Sequence, residues 1–70
     1  MIKSYFFDNN IDDKGMHTIH TEDCAFLPHE NRSLIGYQNS CKDAIEEAKK
    51  STNYSNFNGC YFCCYSCHTK

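Results

Sequence analysis

The 70-residue sequence has no Trp and no Val, only two Leu (Leu27 and Leu34), one Pro, three Gly and a single Arg, Arg32. With so few branched aliphatics the core is small. At this length apolar burial leaves only about 3–5 kcal/mol of net stability, so the chain is expected to need a staple. No apolar run approaches the ~20 residues of a membrane helix, and no membrane association is expected. Residues 1–8 carry one Lys and a short apolar patch, which Asp8, Asn9 and Asn10 interrupt before it reaches the length of an export signal. The expected location is therefore the cytoplasm, where structural disulfides are rare. The net charge is −2, and the Lys residues are scattered apart from Lys49 and Lys50, so a basic stripe is missing. Phosphate neutralisation supplies most non-specific nucleic-acid affinity, which makes tight DNA binding the weaker expectation. A convergent acid/base pair and a phosphate-cradling loop are also lacking, which argues against an enzyme.

Present instead are six Cys and four His. In a reducing compartment they point to metal rather than disulfides. A structural zinc supplies roughly 10–16 kcal/mol of binding free energy, against roughly 2–4 kcal/mol for one disulfide, and can decide folding by itself.

Residues 2–7, rich in aromatic and β-branched types, read as a strand, and the Asn, Asp and Gly of 8–15 read as the turn after it. Met16-His-Thr-Ile-His20 alternates as a second strand, which places His20 at its end and Cys24 in the following loop. Residues 33–37 read as a short third strand. The clearest helix spans 41–50, because Cys41, Ala44, Ile45 and Ala48 recur at i, i+3, i+4 and i+7. Ser40 is placed as its N-cap, Asp43 favours the positive end of the dipole, and Lys49 and Lys50 favour the other. Residues 51–59 read as a polar linker closing on Asn58-Gly59, with Gly59 suited to positive φ. The terminal Cys60-Tyr-Phe-Cys-Cys-Tyr-Ser-Cys-His68 reads as a knuckle turn and a short helix. The expectation is one α+β domain over 1–70: a short antiparallel sheet, one main helix and a Cys-rich terminus, joined through zinc as a monomer.

Zinc takes four nitrogen or sulfur ligands in a tetrahedron, and two residues three apart across a tight turn both reach one ion. Cys60 and Cys63 have that spacing. His20 and Cys24 are the best complementary pair, so these four are the expected ligands of one Zn2+ per chain. Cys64 and Cys67 compete at equal spacing. Cys67 or His68 is an alternative ligand or, with His17, part of a second site. A thiolate-rich site also accepts iron. Cys64-Tyr-Ser-Cys-His68 matches the haem-attachment pattern, but that chemistry belongs to exported proteins. Cys41, on the apolar helix face, is expected in the core, and His29 is expected to be solvated. The ten aromatics are expected to fill a core short of Leu and Val rather than to stack nucleobases.

The order His20-x3-Cys24, a short strand, Ser-Cys-Lys-Asp-Ala-Ile-Glu-Glu-Ala-Lys-Lys50 and Gly59-Cys60-x2-Cys63 resembles the Ada-type metal-binding module over about residues 16–68. It is also similar to small uncharacterised bacterial proteins of this length and motif order. The resemblance implies one structural zinc. In the DNA-repair members of that family a zinc-bound Cys accepts a methyl group from a phosphotriester, and the corresponding acceptor here would be Cys24. His20 at a ligand position, the missing Arg-rich surface, the longer stretch between ligand pairs and the additional Cys64, Cys67 and His68 all depart from that pattern. The leading expectation is a non-enzymatic zinc module that binds a protein partner or, less favoured, nucleic acid. The alternatives are a reactive or redox-active thiolate, and metal sensing or storage.

Overall fold

Residues 2–68 are described by a computed structural model, so the domain expected over 1–70 extends past the described residues at both ends. In chain order the elements are β1 (Lys3–Ile11), β2 (His17–Thr21), β3 (Arg32–Gln38), α1 (Cys41–Ser51), β4 (Phe57–Gly59) and a terminal 3-10 turn (Tyr65–Cys67). The architecture is α+β, with one helix packed on a four-stranded sheet of order β3-β1-β2-β4.

The β1–β2 hairpin closes through Asp12, whose carboxylate accepts the backbone N–H groups of Lys14 and Met16, each at 2.9 Å. Gly15 supplies the positive φ of the turn. β1 runs four residues beyond the expected Phe7 because it has a neighbour on each side. Asp8 pairs with Arg32, Asn9 N–H donates to Asn31 O at 2.7 Å, and Ser33 Oγ bonds Asn9 Oδ1 at 2.6 Å. These contacts hold as strand a polar stretch whose composition reads as turn.

Two further expectations are corrected. The sheet is mixed rather than antiparallel, since β4 lies parallel to β2 with Phe57 opposite His17 and Gly59 opposite Ile19. This three-residue strand falls in the expected linker and is too short to carry a periodicity. Gly59 is absent from the positive-φ residues. Its role is close approach: a Cβ there would lie 2.5 Å from Cys64 O and 2.8 Å from Cys67 Cβ. The missing side chain lets the Cys-rich terminus lie directly on β4.

Tyr5 and Phe7 of β1, Ile19 of β2 and Phe57 of β4 bury one sheet face against Cys41, Ala44 and Ala48 of α1. The helix starts where Ser40 accepts the Asp43 N–H at 3.3 Å. It ends as Thr52 bonds Ala48 O through both its N–H and its hydroxyl. Small Ala side chains at the contact bring helix and sheet close, which suits a core made of rings. The aromatics divide, however: Tyr5, Phe7 and Phe57 are buried, whereas Phe26, Tyr37, Tyr54, Tyr61, Phe62 and Tyr65 are 49–75% exposed. Core filling therefore accounts for only part of the aromatic content.

Candidate metal centre

His20 lies within β2, Cys24 in the loop that follows, and Cys60 and Cys63 in the knuckle entered directly from β4. Because β4 pairs with β2, the Cys60 N–H continues the ladder by donating to Ile19 O at 3.0 Å. That bond brings residues forty positions apart in sequence to one end of the sheet. The donor atoms of His20, Cys24, Cys60 and Cys63 all lie within 4.8 Å of one another, and they form the one such group among the described residues.

The spacing fits a tetrahedral ion. Zinc–sulfur and zinc–nitrogen bonds of about 2.3 and about 2.05 Å place ligand atoms about 3.8 Å (S to S) and about 3.6 Å (N to S) apart. Here Cys24 Sγ is 3.9 Å from Cys60 Sγ, and Cys63 Sγ is 3.9 Å from His20 Nδ1. The backbone is shaped to hold thiolate charge. Thr21 N–H points at Cys63 Sγ at 3.4 Å, the N–H groups of Phe62 and Cys63 are directed at Cys60, and that of Phe26 at Cys24. Cys64 N–H to Cys60 O at 2.8 Å and Leu27 N–H to Cys24 O at 3.2 Å close the two ligand turns. Three sulfurs and one imidazole so arranged can hold a metal ion.

Without an ion two of the three cluster thiols resist ionisation. Burial, reinforced by the hydrogen bond with Cys63, pushes the Cys24 thiol up to about 12. Burial also raises Cys63. For Cys60 burial is again the largest influence, yet the N–H groups of Cys63 and Phe62 and the neighbouring thiols outweigh it and leave the group below its ordinary value. Burial lowers His20, which keeps its imidazole neutral and able to ligate.

The competing positions lie elsewhere. His17 is buried on the other part of β2, where its Nδ1 is 2.8 Å from Asp8 O and its ring stacks on Tyr54 at 4.5 Å. Cys64 is a free thiol in the helix-side core, raised by burial. His68 Nδ1 is 3.0 Å from Gly59 O, and its ring meets the edge of Tyr61. Cys67 is joined to Cys41 by a disulfide, so it is closed as a ligand of either site in this state. This pairing also corrects the expectation of uniformly reduced thiols. Cys41 is in the core, as its place on the helix face implies, but no spacing rule links it to a residue 26 positions later. His29 is exposed, as expected.

Comparison with protein-family models, curated proteins and solved structures finds no match. No described helix is long and apolar enough to cross a membrane.

Outside the centre, Phe26 and Phe62 stack at 4.4 Å. Tyr61 meets Phe62 and Tyr65 edge-on at 5.2 and 5.1 Å, so the ligand turns carry an exposed aromatic face. An open pocket of about 380 Å³ lies beside it, bordered by Lys3, Asp23, Cys24 and Cys63.

Proposed function

We propose that this chain is a zinc-binding interaction module, in which one Zn2+ held by His20, Cys24, Cys60 and Cys63 fixes the fold and the aromatic face around it receives a protein partner. The observation that carries the reading is the meeting of four soft and borderline donors at tetrahedral spacing. A set of three thiolates and one imidazole suits zinc, whose structural sites are commonly of this composition. The Ada-type resemblance agrees with the same ligand pairs. Exposed rings in mutual contact form an apolar patch, and aromatic residues are enriched at protein interfaces. The net charge of −2 favours a protein over nucleic acid as the partner.

Elemental analysis should give about one zinc per chain, and a chelator should collapse the dispersed NMR spectrum. Cys24→Ser should lose the ion. Cys64→Ser should retain it, because Cys64 stands outside the four-donor group. A metal-free chain with an unchanged spectrum would overturn the reading.

A second reading, a reactive metal-held thiolate, has one observation in its favour: Cys24 and Cys63 are only half-buried and border an open pocket. Alkylation of the zinc-loaded protein separates the two. Uniform protection of the three donor thiols supports a closed structural site, and one fast-reacting sulfur supports chemistry.

A further inference from the structure

The Cys41–Cys67 disulfide stands outside the four-donor cluster, and its two sulfurs sit in unlike surroundings. Cys41 is 6% exposed at the first position of α1, capped by Ser40, with its Sγ 3.2 Å from Ser66 Oγ. Cys67 is half-buried and borders an open pocket of about 530 Å³, which Lys42, Lys49, Glu46 and Ile45 of α1 and Ser66 complete. One sulfur is thus reachable, and the other is placed to hold negative charge.

We propose that Cys41 and Cys67 form a reversible dithiol–disulfide pair that exchanges with small anionic thiols of the glutathione class. The incoming thiolate attacks Cys67 Sγ from the pocket and forms a mixed disulfide there. The Cys41–Cys67 bond breaks, and its electron pair leaves on Cys41 Sγ. Leaving-group stability speeds such exchange, and a thiolate at a helix N-terminus is stabilised by the positive end of the dipole and here by the Ser66 hydroxyl. A second thiolate then attacks the small-molecule sulfur of the mixed disulfide. It releases the oxidised small disulfide and leaves Cys41 and Cys67 reduced, each taking a proton from water. Two electrons pass from two small thiols to the protein, and the oxidised small disulfide drives the reverse reaction. Lys42 and Lys49 against the single Glu46 give the pocket a positive balance, which suits a thiol bearing carboxylates.

Opening the bond leaves the surrounding fold standing. The terminus stays attached through β4, through Cys64 N–H to Cys60 O at 2.8 Å and through Cys67 N–H to Cys64 O at 3.0 Å, while Ala44 and Ala48 still hold α1 on the sheet. The two sulfurs are therefore kept near each other in the reduced state, which is what a reversible pair requires.

The test uses the full chain with its native metal content in buffers of reduced and oxidised glutathione. Trypsin cuts after Arg32 and Lys42, so Cys41 falls in a peptide, 33–42, with no other Cys, and its alkylation reports the pair separately from the cluster. Cys41 should pass from blocked to open across the glutathione series at constant metal content. At equal thiolate concentration, glutathione should open it roughly threefold or more faster than the cationic thiol cysteamine at low ionic strength. Lys42→Gln with Lys49→Gln, in which Cys41 is read in the tryptic peptide 33–50, should abolish that preference. A Cys41 that stays blocked throughout, or open throughout, overturns the proposal, as do equal rates for the two thiols. Metal content, read in parallel, reports on the zinc centre independently.

Discussion

Gly59 is the residue on which the Cys-rich terminus depends. A Cβ at this position meets backbone, with Cys64 O at 2.5 Å and the Cys67 carbonyl carbon at 2.9 Å, so no side-chain rotation relieves it. Gly59→Ala should cost about 1–3 kcal/mol, as overpacking does, and should lower the urea midpoint of unfolding. It should also speed opening of the Cys41–Cys67 bond by glutathione, read as Cys41 alkylation, since the same contact seats Cys67 beside α1. A variant as stable as the parent would show that the terminus can shift without loss. Gly59 also illustrates the limit of reading residues one at a time. Asn58-Gly59 is a turn signal in sequence, yet here both residues are strand, and the glycine serves packing rather than backbone conformation.

Among the elements, α1 was the most legible, because its face is written at 3.6-residue spacing and both its ends carry chemical signals. Ser40→Ala removes the acceptor of the Asp43 N–H and should lower stability by about 1 kcal/mol, measured by thermal or urea unfolding, without changing metal content. The hairpin offers a pH test. Asp12 is held below its ordinary value mainly by the Met16 N–H, with the Lys14 N–H also contributing. A carboxylate depressed in the folded state stabilises above its unfolded pKa, and that contribution is lost as the pH falls through the folded value. Asp12→Asn should therefore flatten the acid limb of the stability profile, and an unchanged limb would assign it to other groups. Boundaries were less legible than the existence of elements. β1 gained Asp8 to Ile11 from Arg32 and Asn31 on one side and from His17 of β2 on the other, and β4 exists only because β2 offers an edge. Both are non-local effects that no window of a few residues contains.

For the molecule as a whole, metal binding and folding are expected to be one proton-linked process. With Cys24 and Cys63 raised by burial, these two thiols hold their protons at neutral pH, and an ion must displace them. His20, lowered by burial, is neutral there and has no proton to release. Apparent zinc affinity should therefore rise with pH through neutrality and continue to rise above it, with proton release on binding that chelator competition and calorimetry in buffers of different ionisation enthalpy would detect. A flat profile would mean that the thiols are already ionised.

Composition alone set the expectation that 70 residues short of Leu and Val need a staple. Ligand spacing put His20, Cys24, Cys60 and Cys63 first while leaving His17, Cys64, Cys67 and His68 in competition, because turn geometry and metal valence are local constraints that equally spaced pairs satisfy alike. Tertiary structure decided how the pairs meet, through the parallel seat of β4 on β2, and which cysteines stand aside: Cys64 in the core, and Cys67 joined to Cys41. It also decided that much of the aromatic content faces outward. Hydrophobicity says that a ring can be buried, whereas the few places one small helix and one sheet can enclose determine which rings are.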